Sequence, residues 1–113
     1  MASPDWAEEL PASITVSDAA GTIVEMNARA AQAYARFGGK KLVGTNMLDC
    51  HPEPARTKLK QLMESRRANV YTTERNGAKR LVFQAPWLKE GQYAGYVEIV
   101  IDLPQDMPHF VRK

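Results

Sequence analysis

Apolar positions along the chain follow two rhythms. Near the N-terminus Ile14 and Val16, then Thr22, Val24 and Met26, alternate with polar or small residues, the period of a strand with one covered face. Between them lies Asp18-Ala-Ala-Gly21, where an Asp side chain can accept from amides ahead of it and a glycine can take a positive φ. The pattern predicts a hairpin. Asn27, a favoured N-cap residue, then opens an Ala-rich helix running to about Phe37, with Ala31, Tyr34 and Ala35 at helical spacing and Gly38-Gly39 as its stop. Lys40 to Gly44 can hold one further turn, and Thr45 to His51 is a connecting segment that offers Met47 and Leu48 for burial. From about Pro52 to Arg67 the rhythm is helical again: Ala55, Leu59, Leu62 and Met63 form one stripe, with Arg56, Lys58, Lys60 and Glu64 off it. That helix is expected to lie on a sheet.

The period then returns to two. Asn69 to Arg75 is rich in β-branched and aromatic residues and is followed by Asn76-Gly77, the strongest short hairpin signal. Lys79 to Trp87 puts Leu81, Phe83, Ala85 and Trp87 on one face and Val82, Gln84 and Leu88 on the other. Pro86 cannot donate to a ladder, so this strand should bulge or reach a sheet edge near its end. Gln92 to Asp102 is the longest strand candidate, apolar on both faces and therefore expected at the sheet centre. At the other end, Ser3 is a candidate cap for a short helix in which Trp6 and Leu10 share a face, and Pro11 ends it. Two strands, helices and three strands make an antiparallel α+β fold, since no repeated strand-helix-strand pattern demands a parallel sheet.

The 113 residues suit one domain with a single core. No apolar run approaches the roughly 20 residues that span a bilayer, and the N-terminus lacks a basic segment leading into an apolar one, so a cytoplasmic location with no membrane partner is expected. Cys50 is the only cysteine, which agrees with a reducing compartment. The net charge of +2 changes little: Lys40-Lys41, Arg66-Arg67 and Lys79-Arg80 sit at predicted element ends, and no basic stripe with interleaved aromatics points to nucleic acid.

The opening block, with its strand, D-x-x-G turn, second strand and Asn before an Ala-rich helix, resembles the start of a PAS sensor domain. The resemblance extends over residues 12–104, with residues 1–11 as an N-terminal cap helix and 105–113 as a tail; Asp102-Leu103-Pro104 stands where many family members end in D-I-T. It implies a five-stranded antiparallel sheet in the order 2-1-5-4-3 with helices covering one face. It further implies a sensory, non-enzymatic module of signal transduction or transcription regulation, acting as a homodimer or on an effector in trans. Trp6 and Leu10 are the candidates for the dimer interface. In the family a pocket lies between the sheet and the middle helices. Its candidate lining here is Met26, Tyr34, Met47, Leu48, Leu62, Leu81, Phe83 and Val97, with Asn46, Thr72 and Gln84 as orienting polar groups. The same large residues would equally fill the space as a packed core, leaving an interaction module.

Asp49-Cys50-His51-Pro52 is the one cluster with chemical character. With Pro52 at the first helical position, His51 would be the cap and Cys50 would lie beside the positive helix end, where a thiolate is favoured, as a redox-sensing thiol or a haem ligand. The plainer reading makes Cys50 a small apolar residue and gives Asp49 and His51 to backbone amides. Haem-binding relatives carry their His within the long helix, which here has none beyond its first position. Flavin-binding relatives use a G-x-N-C-R-F-L-Q motif, against which Gly44-Thr45-Asn46-Met47 puts Met47 in the place of the reactive Cys. No metal motif, phosphate loop or catalytic triad is present, and no enzyme is expected.

Overall fold

A computed structural model describes residues 4–113, with the side chain of Cys50 left outside the description. The first hairpin forms for the reason its turn suggests. Asp18 Oδ1 accepts from the amides of Ala20 (3.0 Å) and Thr22 (2.9 Å), and Gly21 takes φ 91°. Strands β1 (Ser13–Ser17) and β2 (Ile23–Met26) pair antiparallel, but not in simple alternation. Thr15 faces Met26, Val16 faces Glu25 and Ser17 faces Ile23, so Val24 is an extra residue and β2 bulges. Ile23 and Met26 therefore both turn inward and are buried, which corrects the expected Thr22, Val24, Met26 face.

The helical arm is shorter and more broken than its periodicity suggests. Helix α2 spans Ala28–Ala33 rather than continuing to Phe37; 3₁₀ turns follow at Ala35–Phe37, Gly39–Leu42 and Met47–Cys50. Helix α3 spans Ala55–Ser65, because Pro54 occupies the position before it and Arg66 closes it at φ 55°. His51 is thus not its cap, and Cys50 does not adjoin its N-terminus; Glu53 Oε1 instead accepts from the Thr57 amide (2.9 Å) and hydroxyl (2.7 Å). Those two bonds hold the Glu53 carboxyl below the usual carboxylate range.

Strands β3 (Asn69–Arg75), β4 (Ala78–Lys89) and β5 (Gln92–Leu103) form a meander whose two turns, Asn76-Gly77 and Glu90-Gly91, have positive φ at both residues. The sheet order is β2-β1-β5-β4-β3, with β5 central as its apolar content predicts. β4 outruns β3, whose pairing ends at Asn69 opposite Gln84, and its register shifts between Trp87 and Leu88. The edge foreseen from Pro86 therefore occurs, whereas the bulge falls on the partner strand: Trp87 faces Gly95 and Leu88 faces Tyr93, so Ala94 of β5 is the extra residue. Gly95 in β5 lies against β1: a Cβ there would stand 1.9 Å from the Ser17 carbonyl oxygen, to which Trp87 Nε1 also donates at 2.9 Å.

Asn27 joins the parts. It is fully buried, and its side chain makes four hydrogen bonds: Oδ1 accepts from Ile14 N and Ala30 N (both 3.0 Å), and Nδ2 donates to Ala7 O (2.9 Å) and Ala12 O (2.8 Å). One amide thus caps α2, extends β1 and holds the N-terminal segment. That segment contains α1 (Asp5–Glu8), also tied by Lys40 Nζ to Glu8 at 2.8 Å. α1 ends before Leu10, so Trp6 and Leu10 do not share a helix face; Ser3, read as its cap, lies outside the described residues. No described helix is long and apolar enough to cross a membrane.

Candidate ligand-binding cavity

The sheet carries its polarity on the unexpected side. Reading across the register, Asn69, Gln84, Glu98, Thr15 and Met26 form one row spanning all five strands on the face covered by the helical arm. Four of the five are polar. Asn69 Nδ2 donates to Gln84 Oε1 (3.0 Å), Gln84 Nε2 to Glu98 Oε2 (2.8 Å), and Tyr34 Oη, reaching down from the end of α2, to Glu98 Oε1 (3.0 Å). Tyr34 and Gln84 thus donate one to each carboxylate oxygen of Glu98, and Asn69 holds Gln84 in place from behind. No described cation forms an ion pair with it. Next in the row, Thr15 Oγ1 is buried with no hydrogen-bond partner, where most buried hydroxyls have one.

A cavity of about 70 Å³ lies over this row. Thr15, Ser17, Gln84 and Glu98 form its floor; Ile23, Met26, Leu42, Met47 and Leu59 are its apolar walls; Tyr34, Tyr96 and His51 complete it. The Tyr96 hydroxyl reaches the Arg67 carbonyl just past α3, and burial, then the neighbouring Tyr93, raise it above the ordinary phenol range. Tyr71, in the adjacent inward row, is raised too, by burial first and then by the Glu98 charge. His51 Nδ1 lies 2.7 Å from the Met47 carbonyl oxygen. A carbonyl only accepts, so Nδ1 carries the proton and orients the ring.

Of the residues expected to line a pocket, Met26, Tyr34, Met47, Gln84 and Val97 border this cavity. Leu81 and Phe83 lie on the opposite sheet face, a correction that follows from alternation: Gln84 and Val82 point inward, so their odd-numbered neighbours cannot. Thr72 shares that outer row and borders a surface groove with Leu103 and Pro104. Leu48 faces a different groove, beside Met63 and Tyr93. Leu62 borders neither, and its carbonyl lies 3.4 Å from the Tyr96 hydroxyl. Asn46 works as a clip, accepting from Leu48 N (2.9 Å) and donating to Ala20 O (3.1 Å). Thr15, Ser17, Glu98 and His51 line the cavity although the apolar pattern does not select them. The first three are polar residues at the inward parity of their strands, a weaker signal than the apolar parity beside them, and His51 enters from the connecting segment.

Haem and flavin do not fit. Pockets for ligands of that size run to roughly 300–1,000 Å³, several times this cavity of about 70 Å³. His51 is near enough to line it, yet the apolar walls close on a space suited to a few non-hydrogen atoms.

The outer face is the apolar one. Val70, Phe83, Ile99 and Ile14 form a cross-strand row there, flanked by Leu81 and Ile101. Trp6, Ala7, Ile14, Trp87 and Ile99 border an open groove of about 330 Å³. Trp6 remains 70% exposed.

An antiparallel sheet of this order, with a broken helical arm over one face and a small cavity between them, defines the class of fold. The chain belongs to the PAS fold family, whose model matches residues 7–105. The match covers nearly the whole of the described chain and makes residues 7–105 a PAS-fold domain. No curated protein matches the chain. Among solved structures, it is similar to the C-terminal domain of a Streptococcus mutans protein, at 23% identity and TM-score 0.71, covering 86% of this chain and 79% of that one. A sensory box sensor histidine kinase from Vibrio cholerae is similar at 17% identity and TM-score 0.65, covering 88% and 86%. The Aer2 receptor of Vibrio cholerae, described as a dual PAS-heme oxygen sensor, is similar at 17% identity and TM-score 0.63, covering 82% and 95%. At these identities the likeness is one of fold.

Proposed function

We propose that this PAS domain senses a small molecule bound in the cavity between sheet and helical arm. The observation that carries this reading is the floor: an oriented carboxylate and an unpartnered threonine hydroxyl, side by side beneath an apolar enclosure. A purely structural core would pair or replace such groups, because an orphaned buried hydroxyl costs about 1–3 kcal/mol. Tyr34 links the floor to α2, and Asn27 links α2 to the N-terminal segment, so a ligand touching Glu98 acts on the elements that would carry a signal outward.

The test is a thermal-shift screen of the purified domain against small polar metabolites, beside a Met47→Trp protein whose cavity is filled. At least one compound should raise the wild-type Tm by 2 °C or more and leave the filled variant unmoved. A screen in which nothing moves the wild type, with native mass spectrometry showing no retained molecule, would overturn the reading.

A second reading concerns the outer face. Its apolar row and the exposed Trp6 support homodimerisation there, or docking of an effector protein. Sedimentation of wild type, Trp6→Ala and Phe83→Glu should show a dimer that both substitutions weaken; a wild-type monomer at 100 μM would remove the homodimer.

A further inference from the structure

The chemistry of the floor narrows the ligand. We infer that the cavity recognises a small cationic amine, its ammonium seated between Glu98 and Thr15 and its short alkyl part against Met26, Met47 and Leu42. The inference rests on the proposal that the cavity is a ligand site, and goes beyond it by naming the charge and donor pattern of the occupant.

Three observations converge. First, Glu98 is half-buried on the cavity floor, and no Lys or Arg is among the residues lining it. Its two oxygens each accept one hydrogen bond, from Tyr34 and from Gln84, which leaves each with a further lone pair. The carboxylate is held in place with acceptor capacity to spare and, among the described residues, no counter-charge. Second, Thr15 stands directly across β1–β5 from Glu98, and its hydroxyl has no partner. Directly opposed residues carry their Cβ atoms about 4.5–5.5 Å apart, so the two acceptors are spaced to share one ammonium with its three N–H donors. Third, Tyr34 and Tyr96 border the same space, and aromatic rings flanking a carboxylate favour a cation. An anionic ligand meets only repulsion from Glu98, and a neutral apolar one leaves Thr15 as it is. The volume, about 70 Å³, sets the size at a few non-hydrogen atoms.

His51, Tyr34 and Tyr96 are the other titratable groups lining the cavity, and the His51 proton on Nδ1 is committed to the Met47 carbonyl. The experiment is run at pH 7.5, where an alkylamine is charged.

Three probes of one skeleton separate the outcomes: n-butylammonium chloride, n-butanol and sodium butyrate, each at 50 mM and matched ionic strength. Tm is read by calorimetry, and affinity by NMR titration of the Thr15, Gln84 and Glu98 amides. Butylammonium should raise Tm by roughly 3–6 °C, with smaller shifts from butanol and none from butyrate. Glu98→Gln, which keeps the Tyr34 contact, should weaken butylammonium at least tenfold and leave butanol unchanged. Thr15→Val, which removes only the orphan hydroxyl, should weaken it several-fold. Equal or stronger binding of butanol or butyrate would overturn the amine assignment while sparing the ligand site. Silence from all three, with the metabolite screen also silent, would overturn both.

Discussion

Replacing Asn27 is the sharpest test of how the domain is held together. In Asn27→Ala, Ile14 N and Ala30 N lose their acceptor, and Ala7 O and Ala12 O lose their donor, at a site that is 1% exposed. Loss of the helix cap alone costs about 1 kcal/mol. Each further buried group left unpaired adds about 1 kcal/mol at the low end of its range. Water reaching the frayed N-terminal segment offsets part of this, giving roughly 3–4 kcal/mol in all. For a chain of this size 1 kcal/mol moves Tm by about 4 °C, so a fall of roughly 12–16 °C is expected, beside a urea midpoint shift at constant m-value. Asn27→Asp separates the roles. Its carboxylate still accepts from Ile14 N and Ala30 N but cannot donate to Ala7 O and Ala12 O. It should spare α2 while releasing residues 5–12, seen as faster amide exchange at Leu10 and Ala12 and altered Trp6 fluorescence. A loss below 1 kcal/mol in Asn27→Ala, or an Asp variant whose N-terminal segment exchanges like wild type, would refute the claim that one side chain joins three elements.

Other outcomes follow from the same geometry. Gly95→Ala places a methyl against the Ser17 carbonyl and should cost about 3 kcal/mol or more in urea denaturation. Thr15→Val removes an orphaned hydroxyl and should stabilise the ligand-free domain by about 0.5–1 kcal/mol, a rare gain from a cavity-lining change. Tyr96 is held above the ordinary phenol range by burial, so its contribution is fully present below about pH 10 and is lost as pH rises through its folded value. Tyr96→Phe should flatten that alkaline fall in Tm, at a lower overall stability because the Arg67 carbonyl loses its donor.

Much of the architecture was legible because local chemistry decides it. Asp18 and Gly21 form their turn through the contacts their residue types allow, Asn76-Gly77 closes its hairpin with two positive φ values, and β5 is apolar on both faces because it lies between β1 and β4. What could not be read was which face of the sheet the helices cover. Leu81 and Phe83 carry the stronger apolar signal, so they attract the inward assignment, yet the covered face runs through Gln84, Glu98 and Thr15. Two irregularities compound this. The extra residue at Val24 moves Ile23 and Met26 to the same side, and the extra residue at Ala94 changes the phase of β5 near its start. The middle segment failed differently: Pro52 and Pro54 delay α3, so a helix-cap role for His51 became a place on the cavity wall.

Where β4 outruns β3, the five residues from Ala85 to Lys89 pair with β5 on one side and, among the described residues, have no strand on the other. Tyr96 turns its amide toward Ser17 of β1 (3.2 Å), so its partner Pro86 turns its own nitrogen to the open side. A donor is missing there, at the stretch most open to a strand from another molecule. Pro86 therefore acts as a gatekeeper against edge-to-edge growth and amyloid-like stacking, which would leave this domain free to associate through side chains on its outer face rather than by adding strands.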